Sequence, residues 1–403
     1  MTTAAEQPPP GFGALELLLG GLAALGPLSI DMYLPALPRI AAEFHVDTAA
    51  VQLSLASFFV GFAVGQLVVG PFVDRYGRKR PLLVALGLYL LASLGCAAAP
   101  SNDWLVVCRL LQGLAGAMAV VVPRAVVRDL RSGAEAVHML SRLMLVMGVA
   151  PIVAPLLGSW VQDALGWRAI FVVLAGFAAL TLVASTALLP GTSRAGPGTA
   201  GAAGLGAQLR ALAREPDFRT YTLCGAFSSA GMFAYISGSS FVFIELYGIP
   251  EAQYGYFFGA NAFGLIAASQ LNRLLVGRFS SVQVLGAATG LAALAALAVL
   301  AVAWTGAGGL WGISGALFVF VSTLGVLGPN TTGLALERHG ERAGLASSVL
   351  GSLQFMIAAS AAAAVSALHD GTSAVPMAAV VAVSACLSWL SFALRRRDSA
   401  PLS

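Results

Sequence analysis

Charge is what this sequence has least of. Only 10% of its 403 residues are Asp, Glu, Lys or Arg, while 58% are hydrophobic; soluble domains carry about 25% charged residues. A chain so poor in charge cannot cover a wet surface, which excludes a soluble globular protein and places it in a bilayer. Cysteine is scarce as well. Cys96, Cys108, Cys224 and Cys386 fall in apolar runs without metal-ligand spacing, so they are expected to be small packing residues with no disulfide. His45, His138, His339 and His369 all sit near loops and show no ligand pattern. No G-x-x-x-x-G-K-[ST] sequence is present, so no Walker-type ATP site is expected. Nor is there the cluster of metal ligands or the Ser/His pair at one depth that a membrane-embedded enzyme needs. The formal charge of +4 comes from basic residues scattered over short segments, not gathered in one patch, which argues against nucleic acid as a partner. The first apolar stretch lacks a basic n-region and an A-x-A end, so it is expected to remain as a helix.

Long apolar runs are what the chain does have. Twelve candidate spans fall at 14–36, 50–72, 81–99, 103–126, 138–161, 167–189, 219–244, 253–275, 281–303, 309–330, 343–368 and 374–394, each near the roughly 20 residues a bilayer requires. The 46 glycines suit closely packed transmembrane helices. If alternate loops face opposite sides, the basic residues divide unequally. Arg75, Arg78, Lys79, Arg80, Arg128, Arg131, Arg142, Arg194, Arg210, Arg214, Arg219, Arg273, Arg278, Arg338, Arg342 and Arg395 to Arg397 share one side, and only Arg39 and Arg168 take the other. That bias predicts a cytoplasmic position for both termini. Residues 190–216, rich in Gly, Ala, Pro and Ser and then basic, read as a cytoplasmic linker between an N-terminal bundle (1–189) and a C-terminal bundle (217–403).

Span one holds Gly20, Gly21, Gly26 and Pro27 before Asp31-Met32-Tyr33-Leu34-Pro35-Ala36-Leu37-Pro38, which predicts an interrupted or bent helix lining a cavity. Asp31 lies in its outer third, and a carboxylate at that depth needs a partner. Arg109 follows Trp104 by five residues in a span of opposite direction, or about 8 Å of helix, and is the expected partner at similar depth. Gln112 and Gly116 continue its face. In the second half the polar candidates are Asn261, Asn272, Asn330 and Gln354, with Phe233 and Tyr235 in an aromatic-rich region suited to a lipophilic ligand or simply to packing.

The segment 70–82 reads Gly-Pro-Phe-Val-Asp-Arg-Tyr-Gly-Arg-Lys-Arg-Pro-Leu and is expected to be a short loop between antiparallel spans, with Gly77 in a left-handed turn. Gly70-x-x-x-Asp74-Arg75-x-Gly77-Arg78-Lys79 resembles the loop 2–3 signature of the major facilitator superfamily. Leu105-x-x-x-Arg109-x-x-Gln112-Gly113 is similar to its helix 4 motif. Ala150-Pro151-Ile152-Val153-Ala154-Pro155-x-x-Gly158 is similar to the helix 5 motif of its antiporters, with alanines at Ala150 and Ala154 where that motif has glycines. Together with Gly328-Pro329-Asn330 and Gly259-Ala260-Asn261, these stretches resemble the bicyclomycin-resistance (Bcr/CflA) family of drug/proton antiporters. The resemblance implies an all-α integral membrane fold of two six-helix bundles in a bacterial inner membrane. It also implies a monomer that exports small lipophilic or amphipathic molecules against protons as coupling ion, with no further cofactor. Asp31 and Arg109 would couple protons; Asp31, Tyr33, Gln112, Asn261, Phe233, Tyr235 and Gln354 would contact substrate. Gly70, Asp74, Arg75, Gly77, Arg78, Arg128 and Asp129 would form the conformational switch. Proton-coupled uptake on the same fold is the alternative.

Overall fold

The computed structural model describes residues 13–130, 133–189, 205–337 and 343–395, and every regular element among them is helical. The chain opens with α1 (Ala14–Asp31), a 3-10 turn (Leu34–Ala36) and α2 (Leu37–Phe44). It continues with α3 (Thr48–Tyr76), α4 (Lys79–Ala97), α5 (Asn102–Leu130), α6 (Gly133–Leu165) and α7 (Trp167–Leu188). The short α8 (Leu205–Arg214) precedes α9 (Pro216–Ser240), which runs into a π turn (Phe241–Leu246). Then come α10 (Glu251–Val276), α11 (Ser281–Thr305), α12 (Gly309–Leu336), α13 (Ala343–Ala367) and α14 (Val375–Ala393).

With α1 and α2 counted as one crossing, and α9 with its π turn as another, twelve crossings form two bundles of six. Eleven described helices are long and apolar enough to span a membrane. The long helix outside that set is α10, which carries Gln253, Asn261, Gln270, Asn272 and Arg273. One face of the molecule holds the α3–α4 turn and both ends of the connection between the bundles; the opposite, far face holds Arg39, Glu251 and Asp370.

Glycine sets the closest helix packing. A Cβ on Gly113 of α5 would lie 2.1 Å from the Phe58 carbonyl oxygen, so α3 and α5 approach backbone to backbone. The bundles meet along α3–α13 and α6–α10: Ser352 donates to the Ala63 carbonyl at 3.0 Å, and Leu156 and Ile152 of α6 lie against Gly255 and Gly259 of α10.

Three expectations change. The glycines of span one do not break it: α1 runs through Pro27, while Gly20 packs on Val146 and Gly26 on Val120. The interruption falls after Asp31, where Pro35 enters the 3-10 turn and Pro38 starts α2, because proline supplies no amide to a continuing helix. The expected 70–82 loop shrinks to a corner. Gly70, Asp74 and Arg75 lie on the last turns of α3, Gly77 takes φ +74° and α4 begins at Lys79. Lys79 reaches across to donate to the Thr186 and Leu189 carbonyls at 2.8 and 2.7 Å, covering the open C-terminal end of α7. Lastly, the expected linker 190–216 contains α8 and the start of α9; residues 190–204 lie outside the described ones. All four cysteines are free.

Candidate functional site

Asp31 is the final residue of α1 and is buried. Its carboxylate makes no ion pair with Arg109 and has no hydrogen-bond partner among the described residues. The expected Asp31–Arg109 pair is therefore absent. The geometry of the helix end explains it: residues two apart point to nearly opposite sides of a helical turn. Tyr33 turns into the first bundle, where its hydroxyl shares a 2.6 Å hydrogen bond with Ser54 and its ring packs on Phe171 at 5.5 Å. Asp31 lies within electrostatic reach of Tyr235 and Tyr254 in the second bundle.

Arg109 is fully buried on α5, enclosed by aromatic rings instead of acids. Its guanidinium lies 4.4 Å from the ring centre of Phe58, 4.9 Å from Tyr33 and 5.8 Å from Phe171, an arrangement that stabilises a desolvated cation through the ring quadrupoles. Nη1 donates to Gln112 Oε1 at 2.6 Å, and Gln112 donates onward to Ser93 at 2.8 Å. Nε and Nη2 have no partner among the described residues. Arg109 thus grips the Tyr33 ring, two residues beyond the carboxylate.

The second bundle presents a neutral wall to Asp31. Asn261 donates to the Tyr235 hydroxyl at 2.8 Å, Tyr235 stacks on Phe258 at 5.7 Å, and Tyr254 hydrogen bonds Ser239 at 2.7 Å. Phe233 packs elsewhere, with Phe59 at 4.5 Å and Phe355 at 5.4 Å in an aromatic cluster between the bundles. Gln354 sits inside the second bundle beside Gly225 and Thr331. Asn330 donates to Asn272 at 2.7 Å in a buried α10–α12 pair. Of the expected substrate contacts, Tyr235 and Asn261 come together, with Asp31 within electrostatic reach of Tyr235; Tyr33 and Gln112 belong to the Arg109 cluster, and Phe233 and Gln354 are separate.

The helix 5 motif gains a definite role in packing. A Cβ on Gly158 would lie 2.0 Å from the Met32 carbonyl oxygen, so only glycine admits the α1 end that carries Asp31. Ala150 and Ala154 are buried on the same helix, with Pro151 and Pro155 inside it. Of the expected switch residues, Arg78 is half-buried at the start of α4; the side chains of Asp74, Arg75, Arg128 and Asp129 lie outside the described ones.

One feature of the far face has no sequence signature. Arg39 of α2 bonds Asp163 at 2.9 Å in its own bundle and Glu251 at 2.6 Å in the other. Glu251 also receives Gln162, and its carbonyl accepts from Ser159 at 3.0 Å. Thr48 donates to Glu245 at 2.8 Å, and Ser366 to the Ala49 carbonyl at 2.7 Å. These contacts close the far face. The second far-face arginine, Arg168, pairs with Glu43 and lies over Trp167.

A broken first crossing that buries Asp31 without a charged partner among the described residues, packed in a paired six-helix architecture, fits a membrane carrier. Residues 19–364 match the Major Facilitator Superfamily, and the chain belongs to it. It is 36% identical over 94% of its length to an MFS-type transporter, YdgK, of Bacillus subtilis, which has no characterised function and is covered over 94% of its own length. It is 32% identical to the bicyclomycin resistance protein homolog of Haemophilus influenzae, with 93% of this chain and 94% of that one covered. A bacterial homologue of the human lysosomal transporter Spinster, solved in an inward-facing, unoccupied conformation, superposes with TM-score 0.76. Its identity is 14%, and the overlap covers 98% of this chain and 100% of that one; at that identity the likeness speaks to the fold.

Proposed function

We propose that this transporter exports small lipophilic or amphipathic molecules, drugs among them, across a bacterial inner membrane in exchange for protons. The observation that carries the proposal is the Asp31 carboxylate: buried, without a counter-charge among the described residues, and within electrostatic reach of Tyr235 in the other bundle. An unpaired buried charge costs several kcal/mol, and either a proton or a cationic cargo relieves it. Two occupants of one carboxylate that exclude each other are what coupling requires. The drug-resistance name of a relative aligned over nearly its whole length supports export.

Arg109 acts in this scheme as a positioning residue, holding Tyr33 and with it the end of α1. The bias of basic residues puts the α3–α4 turn, the linker and both termini in the cytoplasm and the far face outside. The contacts of Arg39, Glu251, Thr48 and Glu245 then close the outer side of a monomer. The switch assignment of Gly70, Asp74, Arg75, Gly77, Arg78, Arg128 and Asp129 rests on the resemblance of their motif.

Inverted vesicles loaded by an acid interior test the direction. Drug should accumulate inside and be released when the gradient is collapsed. Accumulation that ignores the gradient would overturn proton coupling, and an acid exterior driving entry would establish uptake instead.

A further inference from the structure

We propose that Gln52, Ser237 and Ser240 form a subsite for a neutral hydroxyl or amide group of the cargo, in the seam between the bundles just inside the outer closure; this rests on the export reading above. All three side chains are fully buried, and the Gln52 Nε2 and Oε1 and both serine Oγ atoms have no partner among the described residues. A buried polar group left unsatisfied is costly, so it marks a place where something else belongs.

Helical spacing places Gln52 and Ser240 at one level of the seam, with Ser237 one turn deeper on the same face of α9. On α3, Thr48, Gln52 and Phe59 share one face: Thr48 bonds Glu245 and Phe59 packs on Phe233, so that face meets the second bundle. On α9, Ser237 and Ser240 follow Phe233 by one and two turns along its face. The Phe59–Phe233 and Thr48–Glu245 contacts fix the register between the two helices. Gln52 and Ser240 each lie seven residues outward of their phenylalanine, about 10 Å along the axis. They therefore occupy the same level, between the aromatic cluster and the closure. At that level α13 supplies the buried alanines Ala359 and Ala362, which offer no side-chain hydrogen bond.

The donor set defines the ligand. One carboxamide and two hydroxyls can both give and accept hydrogen bonds and carry no charge, so they select a hydroxyl or amide over an ammonium or carboxylate. Charge selection stays with Asp31, deeper in the path.

The test is thermal unfolding of the purified full-length protein with two probes: bicyclomycin, a neutral compound rich in hydroxyl and amide groups, and tetraphenylphosphonium, a lipophilic cation with no hydrogen-bonding group. Without ligand, Gln52→Met and Ser240→Ala should melt at or above the wild-type temperature, because each removes an unsatisfied polar group. Bicyclomycin should raise the wild-type Tm, and that rise should be lost in Gln52→Met and reduced in Ser240→Ala, while the response to tetraphenylphosphonium persists. A lower Tm of the ligand-free variants would make these groups structural and overturn the proposal. So would a bicyclomycin response that is absent in wild type or intact in Gln52→Met. If bicyclomycin behaves as expected but tetraphenylphosphonium leaves wild type unmoved, the subsite stands and the cationic-cargo role of Asp31 falls.

Discussion

The two bundles share an architecture but divide the chemistry unequally. Among the described residues, the only buried charged side chains are Asp31 and Arg109, and both belong to the first bundle. The second bundle buries Asn261, Asn272, Asn330 and a series of serines and threonines, all neutral. Each set is handled according to its cost. The cation is wrapped in three aromatic rings and bonded to Gln112; the amides pair with each other or with a phenol. Among the described residues Asp31 is the buried charged side chain with neither a hydrogen-bond nor an aromatic partner, at the boundary between the two kinds of interior. The contrast teaches that the buried charge of the described residues is confined to one bundle, while the other buries neutral hydrogen-bonding groups. Under the proposed function, titration belongs to the first and the second supplies the surface it works against.

The strongest way to break this division is Asp31→Asn, which removes the one buried carboxylate among the described residues. Gradient-driven export should fall to the level of empty vesicles while the protein still elutes as a folded species. Export equal to wild type would move proton coupling elsewhere. Gly158→Val strikes the support of that carboxylate. Overpacking a close contact costs about 1–3 kcal/mol, so Tm should drop and transport should fall with it; an unchanged Tm would mean α1 can shift freely. Asn330→Leu probes the neutral bundle by leaving the Asn272 carbonyl oxygen unbonded, at a cost of about 1–3 kcal/mol of stability. Its export, measured across external pH, should keep the wild-type profile, and a displaced profile would show that the second bundle does take part in titration. The smallest effect is expected for Arg39→Gln. Part-exposed ion pairs contribute about 0.2–1 kcal/mol each, so labelling of a cysteine placed beside Glu251 should rise by less than about tenfold.

The twelve crossings were legible because hydrophobic runs of bilayer length are a strong, local signal, and α10 remained legible despite its polar residues. The break in the first crossing was also legible, although its position was decided by Pro35 and Pro38 and not by the glycines. The Asp31–Arg109 pair was misjudged for a definable reason. Depth along a helix can be counted from sequence, but azimuth at a helix end depends on where the helix stops. Ending α1 at Asp31 turns the carboxylate away from Arg109 and leaves Tyr33 as the contact. The far-face bonds of Arg39 to Asp163 and Glu251 join residues more than a hundred positions apart, and no spacing rule connects them.

Sequence alone determined the solvent this protein folds in, its number of crossings, its family and the identity of the one buried acid among the described residues, because hydrophobicity and short motifs are written locally along the chain. Tertiary structure decided what that acid faces, which glycine makes room for it and which polar groups are left over between the bundles. Those features depend on the rotation of one packed helix against another, and rotation is fixed only when all of them are in place.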